Sequence, residues 1–230
     1  MNKKILVLLP AMPDPSFAKP IGQSLNFILQ RRHLIEYIDP YELHGSMDNM
    51  QYYQLWRERI ASLLRHYDAF FGFALGGVIL QQCLPLFKSN ARTIVLFSSP
   101  TFIDDELRQK LKTVIALCQE KRLNEALLYL YQHVSYPGKL GHSFCIKDKA
   151  TAAERLVSGL KRVLETDSSS VINSCNVPLI HFIGEESSLV KKKNILVPKD
   201  ASLYVVPKAG MRVLEDNPGI CQKIILEKLQ

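Results

Sequence analysis

The stretch Ala69-Phe-Phe-Gly-Phe-Ala-Leu-Gly-Gly77 joins two different patterns and decides the fold class of the chain. Ala69–Phe73 is a short apolar run, typical of a strand buried on both faces of a sheet. From Leu75 to about Leu84 the apolar residues have helical spacing, and Pro85 forces that helix to end or kink. The stretch therefore predicts a strand, a sharp turn at position 74 and a helix.

The same alternation of strand and helix continues on both sides of this stretch. Further apolar runs of strand length are Ile5–Leu9, His33–Ile38, Thr93–Phe97, Val177–Ile183 and Ala201–Val206. Helical periodicity covers about 21–30, 56–67, 104–136, 151–164 and the segment from Pro218 onward. This order predicts a mostly parallel α/β sheet flanked by helices, interrupted by a purely helical block. We expect one domain over 1–230, with a core at 1–103 and 165–230 and a helical cap insertion at about 104–164.

Composition excludes several classes of protein. The chain has 230 residues, of which 47% are hydrophobic and 22% charged, so it can bury a sizeable core and is not disordered. No apolar run reaches the roughly 18 residues that a membrane span needs, and the first run is too short for a signal peptide. The five cysteines are scattered without a CxxC pair, which argues against a disulfide framework or a zinc site. A cytoplasmic protein is expected.

The charge pattern favours solvated surfaces over a nucleic-acid footprint. There are 29 Lys and Arg residues against 22 Asp and Glu, but the basic residues are spread along the chain. Only Lys191, Lys192 and Lys193 form a cluster, and no stacking aromatic residues are interleaved with it. The six histidines are isolated, and the glycines of Gly72–Gly77 fit neither the dinucleotide-binding nor the P-loop pattern. The sequence predicts no nucleic-acid partner, no metal and no cofactor.

The turn at position 74 lies inside a known catalytic frame. Gly72-Phe-Ala-Leu-Gly76 matches the G-x-S-x-G nucleophile elbow, whose glycines allow a sharp turn between strand and helix. The central residue of that motif projects its side chain into the cleft. In this chain the central residue is Ala74, whose methyl group cannot act as a nucleophile.

With this frame the chain resembles the α/β-hydrolase superfamily, in the style of short bacterial esterases and thioesterases, over nearly its whole length. Val177–Val190 resembles the family's strand that ends in G-x-x-D, and the position of the triad acid falls on Ser187. Tyr204–Pro218 resembles the segment that carries Gly-His, and the position of the triad histidine falls on Met211. Where the family has His-Gly near its oxyanion hole, this chain has Leu9-Pro-Ala-Met12.

The resemblance thus implies a degenerate catalytic triad at Ala74, Ser187 and Met211. Acyl transfer on this scaffold needs a nucleophile, a base and an orienting acid, and the loss of one member costs several orders of magnitude in rate. An engineered serine-to-alanine change would account for Ala74 but not for the other two positions. The sequence therefore predicts a protein with a hydrolase fold that is not an enzyme.

The first functional hypothesis is a protein-binding or assembly subunit of a larger bacterial complex, for example a secretion-system coupling complex. Its candidate interface residues are Tyr52, Tyr53, Trp56, Lys191, Lys192 and Lys193. Aromatic residues are enriched at interface hot spots. Core packing remains an alternative for the three aromatic residues, because Trp56 also belongs to a helical stripe.

Two other hypotheses keep the cleft in use. One is a module that binds a small apolar or acyl ligand, since Ala74 and Met211 make the pocket more apolar than an active site. The other is a serine esterase or thioesterase with relocated residues, for which Ser98, Ser99 and His181 are the candidates. A packed core position is favoured for His181, which lies inside a predicted strand.

Overall fold

The computed structural model describes residues 2–89, 92–139 and 145–230. In this part of the chain a six-stranded parallel sheet has the strand order β2-β1-β3-β4-β5-β6. The strands are β1 (Lys4–Leu8), β2 (Leu34–Ile38), β3 (Ala69–Phe73), β4 (Thr93–Phe97), β5 (Ile180–Gly184) and β6 (Ser202–Val206). The predicted α/β class, a parallel sheet flanked by helices, is confirmed.

Helices follow the strands as the sequence pattern predicts. They are α1 (Lys19–Ser24), α2 (Asn26–Leu29), α3 (Asn49–Leu63), α4 (Leu75–Cys83), α5 (Asp105–Gln119), α6 (Leu123–Ser135), α7 (Lys149–Leu164), α8 (Ser169–Ser174), α9 (Val213–Asp216) and α10 (Pro218–Lys228). Single 3-10 turns lie at Pro15–Ala18, Pro40–Leu43, Leu84–Phe87 and Lys192–Asn194. The segment predicted as a cap insertion holds α5, α6 and α7; its status as a separate unit stays a prediction.

Burial explains why the central strands are continuous apolar runs. β1, β3, β4 and β5 are buried along almost their whole length, because helices cover both faces of the sheet. The edge strands β2 and β6 are exposed or half-buried except at their last residues, Ile38 and Val206, which are buried. The helix α4 is buried at every residue from Leu75 to Cys83, so it is the central helix of one layer.

Each face of the sheet has its own apolar core. On one face, α3 to α8 pack on side chains such as Leu6, Phe70 and Leu96. On the other face, α1, α2, α9 and α10 pack on the residues that alternate with these, such as Val7 and Phe71. Because successive side chains of a strand point to opposite faces, the two cores share the same strands.

Several element boundaries differ from the sequence prediction: the helix predicted at about 56–67, for example, is α3, which begins at Asn49 and ends at Leu63. The predicted helical block 104–136, with its two apolar stripes, forms the two helices α5 and α6, and between them Lys121 adopts a left-handed backbone with φ 62°. The strand predicted from Val177 begins only at Ile180, after Pro178, which has no N–H to donate to the sheet. The predicted helix at 21–30 is interrupted at Leu25.

Candidate functional site

The turn between β3 and α4 has the backbone of a nucleophile elbow. Ala74 lies at this turn with φ 45° and ψ −109°, a conformation that costs free energy for any residue with a side chain. Its N–H donates to the carbonyl of Phe97 on β4 at 3.0 Å. Its own carbonyl accepts from Gly77 and Val78, which starts the helix. The strained turn is thus fully built although the residue at its tip is alanine.

The glycines around Ala74 have no room for a side chain. A Cβ on Gly72 would overlap the backbone of Gly77, and a Cβ on Gly76 would overlap the carbonyl of Leu8. A Cβ on Gly77 would overlap the hydroxyl of Ser99. Close approach of α4 to β1 and β4 therefore requires glycine at these positions.

The other two predicted triad positions lie in different surroundings. Met211 lines the same cavity as Ala74, and its carbonyl accepts from the Ser98 hydroxyl at 2.8 Å. Ser187 is buried at 6% exposure, does not line the cavity, and its hydroxyl has no partner among the described residues. The neighbouring Glu185 and Glu186 are exposed, so neither replaces the missing acid. The structure brings two of the three predicted positions together.

A large cavity lies above the elbow, between the sheet and the inserted helices. Its volume is about 520 Å³, within the range of small-molecule sites. The core side of its wall includes Phe73, Ala74, Leu75, Phe97 and Met211, and the inserted helices contribute Leu107, Leu111, Leu130, Val134, Leu160 and Val163. Most of the wall is apolar. The cavity stands at the carboxyl end of the strands, where parallel α/β sheets bind their ligands.

Backbone donors line this apolar cavity. Ala11 and Met12 follow β1, and Leu75 is the first residue of α4; all three line the cavity. Their N–H groups have no acceptor among the described residues. The first N–H groups of a helix lack intrahelical acceptors, and the helix dipole makes this end electropositive. These N–H groups can donate hydrogen bonds to the carbonyl oxygen of a ligand.

One wall of the cavity is polar, and the sequence analysis missed it. Arg212 and Glu215 form an ion pair at 3.1 Å, and both line the cavity with Tyr131 of α6. Burial raises the pKa of the Glu215 carboxyl, against the opposing effect of Arg212. Burial also raises the pKa of the Tyr131 hydroxyl. No motif could reveal this group, because its members come from two distant segments of the chain.

Of the three residues proposed for relocated catalysis, one lines the cavity and two are buried away from it. Ser98 lines the cavity, but its hydroxyl is bound to a backbone carbonyl. Ser99 is fully buried; its N–H donates to Nε2 of His181 at 3.2 Å and its hydroxyl donates to Phe97. His181 is also fully buried, as predicted, and burial lowers its pKa to about 3. Of the three, only Ser98 can reach a ligand in the cavity.

The predicted aromatic interface is wrong. Tyr52, Tyr53 and Trp56 are 2%, 4% and 1% exposed and pack edge-to-face within the core, so they present no surface to a partner. Their positions on α3 place them on its inner face, which the helical stripe had already suggested as the alternative.

The lysine cluster is at the surface but is largely paired. Lys191 binds Glu106 at 2.6 Å, and Lys193 binds Asp104 at 2.7 Å and Glu106 at 3.1 Å. Lys192 is exposed. The cluster therefore links the loop after β5 to the inserted helix α5; a role at a protein interface stays a prediction.

Metal binding and membrane insertion find no support in the described ranges. Within 2–89, 92–139 and 145–230, no three His, Cys, Asp or Glu side chains are grouped so that they could hold a metal ion. Across the same residues, no helix combines the length and the apolar character that a bilayer crossing requires.

Comparison of the structure with solved structures identifies the fold. A 2-hydroxy-6-oxo-6-phenylhexa-2,4-dienoate hydrolase from Rhodococcus sp. strain RHA1 matches with a TM-score of 0.73 and 15% identity, over 99% of this chain and 90% of that one. A bromoperoxidase from Bacillus anthracis matches with a TM-score of 0.74 and 10% identity, over 100% and 92%. An α/β-hydrolase enzyme, MGS-M2, from a Medee basin deep-sea metagenome library matches with a TM-score of 0.73 and 12% identity, over 100% and 90%.

The chain therefore has the α/β-hydrolase fold, as the resemblance implied. No protein-family model matches the sequence. No curated protein matches it either.

These comparisons contradict the prediction that the chain is not an enzyme. The three solved proteins named above, matched over 90% or more of their length, are described as enzymes, including a hydrolase and a bromoperoxidase. The prediction rested on the three triad positions and on Leu9–Met12 in place of the family's His-Gly, and it took no account of the cavity above Ala74. An alanine at the elbow is a fact of the sequence, but the inference of an inactive assembly subunit has no support in the structure.

Proposed function

We propose that the chain binds a small apolar molecule that carries a carbonyl group, an acyl ester or thioester, in the cavity above Ala74. The observation that carries this proposal is the apolar cavity of about 520 Å³, lined by Ala11, Met12 and Leu75, whose N–H groups have no acceptor in the described part of the chain. An apolar wall binds the acyl chain through burial of its surface. The backbone donors select for a carbonyl oxygen, because a donor that is buried without an acceptor costs free energy.

Ala74 supports this use of the cavity. A methyl group at the tip of the elbow keeps the cavity wall apolar beside the backbone donors. Met211 adds a flexible apolar side chain to the same wall. Both residues fit a hydrocarbon or acyl ligand better than a charged one.

A binding experiment with two matched ligands tests the proposal. Methyl octanoate and methyl octyl ether differ by one carbonyl oxygen, and calorimetric titration gives the affinity of each. We expect the ester to bind more tightly, by up to about tenfold, the value of one net hydrogen bond. No binding of either ligand would disprove the assignment of the cavity, and equal affinities would disprove the role of the backbone donors.

A cavity-filling variant locates the ligand. Val134→Trp on α6 places a large side chain into the cavity, whereas Leu128→Trp on the same helix is a control at a position that is 45% exposed. We expect Val134→Trp to weaken ester binding by at least tenfold and Leu128→Trp to leave it unchanged. Circular dichroism of both variants verifies that they are folded.

A thiol provides a second readout on the unmodified chain. Cys145 lines the cavity and is exposed, while Cys83, Cys118, Cys175 and Cys221 are buried. We expect bound ester to slow the reaction of Cys145 with a thiol reagent. An unchanged rate at saturating ester would place the ligand elsewhere.

Hydrolysis of the bound acyl group is the second candidate function. It is favoured by the description of the solved structures of the same fold as hydrolases and by the Ser98 hydroxyl in the cavity wall. The test is release of p-nitrophenol from p-nitrophenyl butyrate. Turnover that is lost in Ser98→Ala and retained in Ser99→Ala would establish it; no release above the uncatalysed rate would reject it.

A further inference from the structure

Helix α7 carries two buried arginines, Arg155 and Arg162, each 8% exposed. They are seven residues apart, two turns of the helix, and therefore lie on the same face. Each guanidinium stacks on a tyrosine ring, Arg155 on Tyr41 at 4.5 Å and Arg162 on Tyr52 at 4.6 Å. The two residues are alike in burial and stacking, but their hydrogen bonds go to different segments.

Arg155 binds the segment that follows β1. Its Nε donates to the carbonyl of Met12 at 3.1 Å, and its guanidinium forms an ion pair with Asp39. Arg162 instead donates to the Asn49 side chain at 2.8 Å and to the carbonyl of Met47 at 2.7 Å. Only Arg155 of this pair touches a residue whose N–H lines the cavity.

A second contact of α7 reaches the same segment. Gly159, one turn after Arg155, lies so close to Ala11 that a Cβ on the glycine would approach the Ala11 methyl group to 2.5 Å. Pro10 and Pro13 stand on either side of Ala11 and Met12, and each proline restricts its own φ and the residue before it. The Ala11–Met12 segment is therefore short and stiff, and α7 contacts both of its residues.

We infer that Arg155 is a positioning residue, which holds the Ala11–Met12 segment so that its N–H groups stay at the cavity wall. The inference rests on the proposed function, because it assigns the selection of the carbonyl to this segment. Arg155 does not line the cavity, so it acts on the ligand through the segment alone. The packing of α7 and the recognition of the carbonyl are then coupled. If Arg155 loses its hydrogen bond to Met12, the preference for the ester over the ether is lost.

Arg155→Lys is the informative substitution. A lysine keeps the positive charge beside Asp39, but its single ammonium group cannot reproduce the planar fork that reaches Asp39 and the Met12 carbonyl together. The matched control is Arg162→Lys, which alters an equally buried arginine on the same face of α7. The readout is the ratio of the affinities for methyl octanoate and methyl octyl ether, measured in both variants and in the unmodified chain.

We expect Arg155→Lys to bring the ratio close to one while affinity for the ether stays within twofold. Arg162→Lys should keep the ratio of the unmodified chain. The inference would be overturned if Arg155→Lys kept the affinity ratio of the unmodified chain, or if Arg162→Lys lowered that ratio as much as Arg155→Lys does. The proposed function would stay intact in both cases. A ratio of one in the unmodified chain would reject the proposed function itself, and the inference with it.

A milder variant covers the case in which Arg155→Lys does not fold. Asp39→Asn removes the charge that orients the guanidinium but leaves the Met12 contact and the cavity wall in place. We expect an intermediate ratio for this variant, between those of the unmodified chain and one. An unchanged ratio would show that the segment holds its place without an oriented Arg155, which would overturn the inference.

Discussion

The elbow below the cavity and the inserted helices above it are held by different forces. At the elbow, Gly72, Gly76 and Gly77 let backbones approach until no methyl group fits, and Ser99 and His181 are fully buried beneath it. The inserted helices pack on the core through apolar side chains such as Leu107, Leu127 and Leu156, and polar and charged side chains add further contacts. Glu106 of α5 binds Lys191 and Lys193 of the loop after β5, Arg155 pairs with Asp39, and Arg162 binds Asn49.

This difference in contacts indicates which part of the site can change its conformation. Close-packed backbone has no low-cost alternative arrangement, so the elbow persists even with alanine at its tip. Packed side chains can change rotamer and exposed ion pairs contribute little individually, so the helices above the cavity can adjust at a lower cost than the elbow. Ligand entry is therefore expected on the side of the inserted helices, and four substitutions test the contrast.

The largest effect is expected at the elbow glycines. In Gly76→Ala the new Cβ overlaps the carbonyl of Leu8, which belongs to a central strand and cannot move away. We expect a loss of about 4 kcal/mol or more in the free energy of unfolding, measured by urea denaturation. The control is Gly219→Ala in α10, where no atom lies within 4 Å of the new Cβ and a change of less than about 1 kcal/mol is expected. Equal effects of the two substitutions would contradict the description of the elbow.

The second effect depends on pH and concerns His181 under the elbow. Burial lowers its pKa to about 3, so between pH 6.5 and 3 the unfolded chain binds a proton that the folded chain does not. Stability therefore falls on acidification, by about 1.4 kcal/mol per pH unit, or about 2 kcal/mol from pH 6.5 to pH 5. In His181→Gln this part of the slope should vanish, while His66→Gln at an exposed position should keep it. Urea denaturation at the two pH values measures the slope, and an unchanged slope in His181→Gln would refute the prediction.

The third effect has the opposite sign. Ala74 has φ 45°, where glycine is not strained, so Ala74→Gly should raise the free energy of unfolding by about 1 kcal/mol after the greater entropy of the unfolded glycine chain is subtracted. Ala150→Gly at an exposed position in the first turn of α7 should lower it by about 0.5 to 1 kcal/mol. Thermal unfolding of both variants gives the comparison. If Ala74→Gly is also destabilising, the elbow is not strained.

The smallest effect is expected where the inserted helices meet the core. Three lysines hold the pKa of the Glu106 carboxyl well below its usual range. A carboxyl with a lowered pKa stabilises the fold above its unfolded pKa and loses that contribution as the pH falls. Glu106→Gln should therefore cost up to about 1 kcal/mol at neutral pH.

The dependence on salt distinguishes an electrostatic contribution of Glu106 from a contribution by packing. The cost of Glu106→Gln should disappear between about 0.01 M and about 1 M NaCl, over which the Debye length falls from about 30 Å to about 3 Å. Glu125→Gln, which removes an exposed pair with Arg122 at the start of α6, is the matched control and should cost less than Glu106→Gln at low salt. A cost of Glu106→Gln that is independent of salt would show that the contact acts by packing.

Much of the fold could be predicted because its elements follow from local patterns. The strands Ala69–Phe73 and Thr93–Phe97 were predicted with their observed bounds, since each is an apolar run closed by a turn residue. The two apolar stripes of 104–136 indicated two helices, but the left-handed Lys121 between them could not be predicted, because such a lysine has no sequence signal of its own. Burial of Tyr52 and Tyr53 was equally hidden, because an aromatic cluster suits a core as well as an interface.

The sequence by itself determined the α/β class, the elbow frame and the absence of a nucleophile at position 74, because these depend on residue type and on spacing within a few residues. Only the tertiary structure decided that a cavity of about 520 Å³ remains above Ala74, that Ser187 lies outside it, and that Arg155 reaches the carbonyl of Met12. Those facts depend on how distant segments pack, Arg155 and Met12 being 143 residues apart, and no local pattern encodes the space between them.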